Sequence, residues 1–193
     1  MPVSLGIETA RLKIVLFEER HLTERYVSWL NDSETMRFSE QRHVKHTLAS
    51  CREYWQSFKG TKNYFWAIEK LDLQHTHIGN MNAYLDERHN IADVGLLIGE
   101  RSSWGKGLGT EAFGAACTFL FSAHSLRKIT AGTVSANKGM LNIMWRSGMV
   151  EDGRRVRHFV YDNVETDLVF GALFRESWAA MKTAVQITGP SKQ

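Results

Sequence analysis

Along residues 11–17, apolar Leu12, Ile14 and Leu16 alternate with polar Arg11 and Lys13, the period of two that predicts a strand with one buried face. Leu22, Tyr26, Trp29 and Leu30 then recur at helical spacing, and this stripe stops at the turn signal Asn31-Asp32-Ser33. A second helix is expected behind Thr47 as its N-cap, with Leu48, Cys51, Trp55 and Phe58 on one face and Gly60 ending the run. Three runs rich in aromatic and β-branched residues follow at 63–69, 76–85 and 91–98, and the polar clusters between them predict an antiparallel meander. The strongest helical stripe carries Phe113, Ala116, Cys117, Leu120 and Phe121. A strand at 127–134 leads to a short helix at 137–147, bounded by Asn137 and Gly148, and strands at 149–160 and 165–173 complete the pattern.

No repeat or linker divides the chain, so we expect one domain over residues 1–182 and a disordered tail at 183–193, where polar residues, Gly and Pro follow Trp178. With 193 residues and 43% apolar content, the chain can build a core without disulfides. A formal net charge of only +3 argues against nucleic acid as the partner. No export signal opens the sequence, and no stretch approaches the roughly 18 consecutive apolar residues of a membrane span, so a cytoplasmic protein with no membrane partner is expected. Cys51 and Cys117 fall on helical stripes and read as core residues rather than as a disulfide, a metal site or a covalent nucleophile.

The segment with the most chemical content is Trp104-Gly105-Lys106-Gly107-Leu108-Gly109-Thr110, between the strand at 91–98 and the strongest helix. Alternating glycines allow positive φ and close backbone approach, and the free amides of a helix N-terminus favour a diphosphate. Gly107 to Ala112 also satisfies the loose dinucleotide pattern G-x-G-x-x-A, but that fold places the turn after its first strand and an acid about 20 residues on. Here several strands precede the turn, and Ile129-Thr130-Ala131-Gly132-Thr133-Val134 holds no acid. The triphosphate loop G-x-x-x-x-G-K-[ST] fails as well, because Lys106 is followed by Gly107.

On these residues the sequence resembles the GNAT superfamily of N-acetyltransferases, whose turn [QR]-x-x-G-x-G/A binds the diphosphate of acetyl-CoA. Trp104 stands where the family usually has Gln or Arg. The likeness continues through Val134-Ser135-Ala136-Asn137 and Arg146-Ser147-Gly148-Met149. Leu5-Gly6-Ile7-Glu8-Thr9-Ala10-Arg11-Leu12 and the stretch from Phe170-Gly171 to Ser177-Trp178 resemble the branch that acetylates ribosomal-protein N-termini. The stretch from Arg37-Phe38-Ser39-Glu40 to Lys45-His46-Thr47 is similar to enzymes that acetylate nucleotide-linked amino sugars. The resemblance implies an α/β fold: a mixed, mostly antiparallel sheet of about seven strands, flanked by helices and splayed between the fourth and fifth.

It further implies direct transfer of acetyl to a primary amine in a ternary complex, with acetyl-CoA as co-substrate and no metal. Asp93, the acid on the strand before the turn, is the candidate base, with His75, His77 and His89 as rivals. The backbone of Leu97, Ile98 and Gly99 is expected to polarise the acetyl carbonyl, and Asn137 and Asn142 to bond the coenzyme. Many members carry a proton-donating Tyr where this chain has Met144, which leaves a water or Ser135 to protonate the thiolate. Glu40, Arg42 and Tyr84 are the expected acceptor contacts, and Arg154-Arg155-Val156-Arg157-His158 is either a phosphate grip or a solvated strand face. The favoured acceptor is a nucleotide-linked amino sugar, then a protein N-terminus; a coenzyme-binding module without turnover is the alternative. A homodimer is compatible with family habit.

Overall fold

The structure, a computed structural model, describes residues 6–180 and 186–188. In chain order the elements are β1 (Gly6–Glu8), β2 (Leu12–Leu16), α1 (Glu24–Leu30), α2 (Leu48–Gln56), β3 (Tyr64–Lys70), β4 (His77–Asp86) and β5 (Ile91–Ile98). Then come α3 (Leu108–Ala123), β6 (Lys128–Val134), α4 (Lys138–Arg146), β7 (Val150–Tyr161), β8 (Val164–Phe174), α5 (Arg175–Ala180) and β9 (Gln186–Thr188). The strands form one sheet in the order β7-β8-β6-β5-β4-β3-β2-β1-β9. Among the described residues only the β5/β6 pair is parallel, which gives the mixed, mostly antiparallel sheet expected. The count exceeds seven because β1 and β9, three residues each, are too short to display a period. Of the tail expected to be disordered, 186–188 pair with β1, and 183–185 and 189–193 lie outside the described residues.

Alternation along β3 shows how the core is divided. Trp66 and Ile68 point to one face and pack with Ile14, Phe113, Leu120 and Ile129 under α3, while Phe65 and Ala67 point to the other and join Phe17, Tyr26, Trp29, Cys51 and Phe58 beneath α1 and α2. The two layers cover opposite faces of one sheet. Thr47 caps α2 as expected: its hydroxyl accepts from the Ser50 amide at 3.1 Å, and Ser50 returns the bond to the Thr47 amide at 2.9 Å. The β7–β8 hairpin closes through Asp162 and Asn163, both at positive φ (51° and 59°), the geometry of a two-residue primed turn.

The fourth and fifth strands of the sequence-based series, β5 and β6, separate as anticipated. Ile91, Ala92 and Asp93 pair with Lys128, Ile129 and Thr130, after which β6 pairs only with β8. The remainder of β5 therefore has β4 on one side and an open wedge on the other. No helix among the described residues is long and apolar enough to cross a membrane.

Candidate functional site

The wedge leads directly to the glycine turn. After β5 a short 3-10 turn, Arg101–Ser103, is pinned by Glu100, whose carboxylate accepts from the Ser102 amide (3.2 Å) and hydroxyl (2.8 Å). Hydrogen bonding from Arg25 and then Ser102 outweighs burial and holds Glu100 at a pKa of about 2. Gly105 and Gly107 follow at φ of 71° and 75°, in the left-handed region where only glycine is free of strain, and Gly107 precedes α3 without a side-chain cap. No atom lies within 4 Å of a Cβ placed on Gly105, so that position faces open space. Gly109 differs, because a Cβ there would meet Ile143 Cδ1 at 2.8 Å. Its small size admits α4 against α3, a packing role that its place in the phosphate motif did not reveal.

Trp104, the departure from the family pattern, folds back over the end of β5. Its indole Nε1 donates to the Ile98 carbonyl at 2.7 Å, and the ring remains 40% exposed. That carbonyl is on the β6 side of β5, as is the Ala92 carbonyl, 3.4 Å from Thr130 Oγ1. The Gly99 amide instead donates to Ile78 on β4 at 3.0 Å. In an antiparallel ladder successive residues turn their amides to opposite sides. The amides of Val94, Leu96 and Ile98 therefore face the wedge, and of the three residues expected to present amides there, Leu97 and Gly99 face β4.

Asp93 stands where β5 and β6 part company. Its carboxylate is exposed and accepts from Thr130 Oγ1 at 2.7 Å. Across β4 its partner is Tyr84, whose hydroxyl lies 3.0 Å from that of Tyr54 on α2. Asn82 Nδ2 donates to the Tyr54 oxygen (2.9 Å), and Asn82 Oδ1 accepts from the Gly95 amide (2.9 Å). A Cβ at residue 95 would collide with that oxygen at 2.3 Å, so the glycine is required for the bridge. Burial, then the Tyr84 contact, pushes the Tyr54 hydroxyl well above the ordinary phenol range. Alternation sets Tyr84, Asn82, Asp93 and Thr130 on the face away from α3. Tyr54, Asn82 and Thr130 were not singled out from the sequence.

Ser135 lies five residues beyond Thr130 on the same chain segment, about 16 Å along an extended strand. Its hydroxyl is 2.8 Å from Thr166 Oγ1 and accepts from the Asp167 amide, so the two candidate catalytic side chains are not brought together. Asn137 Oδ1 caps α4 through the Met140 amide at 3.1 Å, and Asn142 is exposed on the same helix. Met144 is fully buried, with its Cε 2.5 Å from where a Cβ on Gly171 would sit. The position thus faces β8 rather than the wedge.

Glu40 and Arg42 come together with Tyr161. The tyrosine hydroxyl donates to Glu40 at 2.8 Å, Arg42 pairs with Glu40 at 2.9 Å, and the guanidinium lies 3.9 Å from the ring centre. The hydrogen bond from Tyr161, with help from Arg42, holds Glu40 below the usual carboxylate range. Arg42 and Tyr161 line a cleft of about 500 Å³ together with Asp32, Met36, His43 and Asp162. Tyr161, 121 residues from Glu40, carries no sequence signal for this contact.

The rival bases lie elsewhere. His77 opens β4, and alternation turns it into the aromatic layer under α1, 5.0 Å from Trp29 and 5.1 Å from His21 between ring centres. Burial, reinforced by His21, pushes it down to about 3. His75 is in the exposed turn before β4, and His89 is in the exposed turn before β5, four residues ahead of Asp93. In the basic run, Arg154 is tied to Glu151 and Asp167 (both 2.8 Å), and Arg155 lies over Phe170. Both cysteines are buried, and burial pushes the Cys117 thiol up to about 12. Among the described residues, no three His, Cys, Asp or Glu side chains form a metal-binding cluster.

A family model described as an acetyltransferase (GNAT) domain matches residues 11–150. Curated proteins give no match. Solved structures give many. A GNAT-family acetyltransferase from Bacillus anthracis shares 20% identity at a TM-score of 0.75, covering 89% of this chain and 99% of that one. A spermidine N-acetyltransferase from Vibrio cholerae, solved with CoA and spermine, shares 18% at 0.77 over 89% and 99%. A ribosomal L7/L12 alpha-N-protein acetyltransferase, solved with coenzyme A, shares 13% at 0.77 over the same fractions. At these identities the structural likeness speaks for the fold.

Proposed function

From the premise that this chain belongs to the GNAT family of acetyl-CoA-dependent N-acetyltransferases, we propose that it transfers acetyl by direct attack of a small primary amine in a ternary complex. The observation that carries this reading is the pair of left-handed glycines, Gly105 and Gly107, placed between an open wedge and an uncapped helix. The open space at Gly105 admits a diphosphate, and the residues from Trp104 to Thr110 cradle it with backbone amides at the positive end of α3. The wedge-facing amides of Val94, Leu96 and Ile98 hold the pantetheine arm and acetyl oxygen, and Asn137 and Asn142 border its path on α4.

Asp93 takes the proton that the amine must lose, and Thr130 fixes its carboxylate. Tyr84, steadied by Tyr54, borders the attacking nitrogen. The Ser135 hydroxyl is engaged with Thr166, and solvent protonates the departing thiolate. With a thiol pKa of about 8.5, that step needs no dedicated acid.

For the acceptor we propose an amino sugar, nucleotide-linked, seated in the cleft beside Glu40 and Arg42. Its volume suits a small molecule, and its wall mixes Arg42 and His43, which suit phosphate, with Asp32 and Asp162, which suit sugar hydroxyls. The same two acids, with Glu40, favour a second reading in which the acceptor is a polyamine, as in the spermidine enzyme of similar fold. Acceptor-dependent thiol release, measured with a nucleotide-linked amino sugar, spermidine and an N-terminal peptide, separates these. Turnover with spermidine or the peptide alone removes the sugar reading, and coenzyme binding without turnover on any amine leaves a binding module.

A further inference from the structure

The guanidinium of Arg11, just ahead of β2, lies against the outer side of the glycine turn. Its Nη1 donates to the Lys106 carbonyl at 2.9 Å. Its Nε and Nη2 reach Oε2 of Glu111, in the first turn of α3, at 2.7 and 2.6 Å. The other carboxylate oxygen accepts from the Thr9 hydroxyl at 2.6 Å and from the Arg11 amide at 3.0 Å. Burial raises the Glu111 pKa, but the bonds from Thr9 and Arg11 outweigh it and leave the group below its ordinary value, hence ionised. Glu111 thus has two donors on each oxygen and is a fixed anvil for the arginine.

The Lys106–Gly107 peptide is trans, so its carbonyl and its N–H point in opposite directions. A donor that holds the carbonyl from outside therefore aims the Gly107 amide inward. Left-handed Gly107 forms one end of this unit, and without the tether the unit could turn over at small steric cost. Charge adds a second requirement, because a carboxylate in the first turn of α3 would repel a diphosphate at that helix end unless a cation stood beside it. The planar fork of Arg11 meets both needs at once; a lysine gathers its three donors on a single nitrogen and cannot reproduce the fork.

We infer that Arg11, set by Glu111 and Thr9, is a positioning residue that orients the 106–107 peptide so that its amide faces the coenzyme diphosphate. The inference rests on the coenzyme reading above and extends it to the corner before β2, a hundred residues away in sequence. Calorimetry on the full chain tests it, with CoA as one probe and pantetheine, which lacks the diphosphate, as the other. Arg11→Lys is expected to weaken CoA binding about tenfold, the worth of one oriented hydrogen bond. It should leave pantetheine binding unchanged, which general damage to the fold would not. Thr9→Val, which removes a donor that sets Glu111 without changing any charge, is expected to act in the same direction more weakly and supplies the test if Arg11→Lys does not fold. Unchanged CoA affinity in these variants, or an equal loss for both probes, overturns the inference while the coenzyme reading stands. A wild-type protein that binds neither probe removes both.

Discussion

Acidification below neutrality should destabilise this protein through His77. The ring is enclosed by Phe17, Tyr26 and Trp29, and its Nε2 donates to the Gly79 carbonyl at 2.9 Å. The charged groups around it are His21, Glu69 beyond that ring, and Arg25. A proton would have to enter against burial and His21, and the folded pKa is pushed down to about 3 from an unfolded value of 6.5. The sign follows directly. Below pH 6.5 the unfolded chain binds a proton that the folded chain refuses, so stability falls by about 1.4 kcal/mol per pH unit until the folded pKa is reached. Between pH 6.5 and 5 His77 accounts for about 2 kcal/mol of loss. His21, lowered by burial despite its 2.9 Å bond to Glu69, adds in the same direction. Asp32 and Glu100, both held at about 2, lose their contribution only as pH falls through and below the ordinary carboxylate range, so they stay out of this window. Urea unfolding at pH 7.5 and 5.0 measures the effect. His77→Gln, which keeps a donor for Gly79, should lose about 2 kcal/mol less than wild type over that interval. Parallel losses in the two proteins would refute the reasoning.

Asp93→Asn should lower kcat by a factor of about 100 or more at neutral pH and recover partly as rising pH neutralises the amine unaided; a flat pH profile in both proteins would count against a base at this position. Gly107→Ala forces a Cβ into the left-handed region at a cost of about 1 to 2 kcal/mol, which a thermal melt would register, and coenzyme KM should rise with it. Gly99→Ala would drive a Cβ to 2.1 Å from the Trp29 ring, so the variant should melt well below wild type; a wild-type melting curve would contradict the close approach. Iodoacetamide should leave native activity intact, because both thiols are buried and their pKa values raised.

How much of this could be read from the residues depended on the range of the interaction. The glycine turn and the caps at Thr47 and Asn137 are set by a few neighbouring residues, and each has a local chemical signature: positive φ for glycine, a short side-chain oxygen for a cap. The splay also came from family likeness rather than from any period in the sequence. Contacts that depend on how layers stack were not accessible. Tyr54 meets Tyr84 only because α2 lies across β4, and Tyr161 meets Glu40 only because the β7–β8 hairpin reaches back to the segment before α2. His77 illustrates the converse: named as a rival base at the head of the 76–85 run, it does open that strand, and alternation sends it into the aromatic layer rather than toward the acceptor. Gly109, assigned to phosphate binding by its place in a motif, also answers to Ile143 on a neighbouring helix.

Three rungs join β5 to β6, and those rungs lie at one end. Mechanically the sheet is two stiff leaves bound along a short spine, so spreading their free edges breaks no ladder bond and is opposed mainly by the packing of α3 and α4 across the gap. With the coenzyme in this gap, as proposed, donors carrying acyl groups bulkier than acetyl would be discriminated by the side chains lining the gap more than by the backbone, and enlarging the substrate range should be possible without rebuilding the frame.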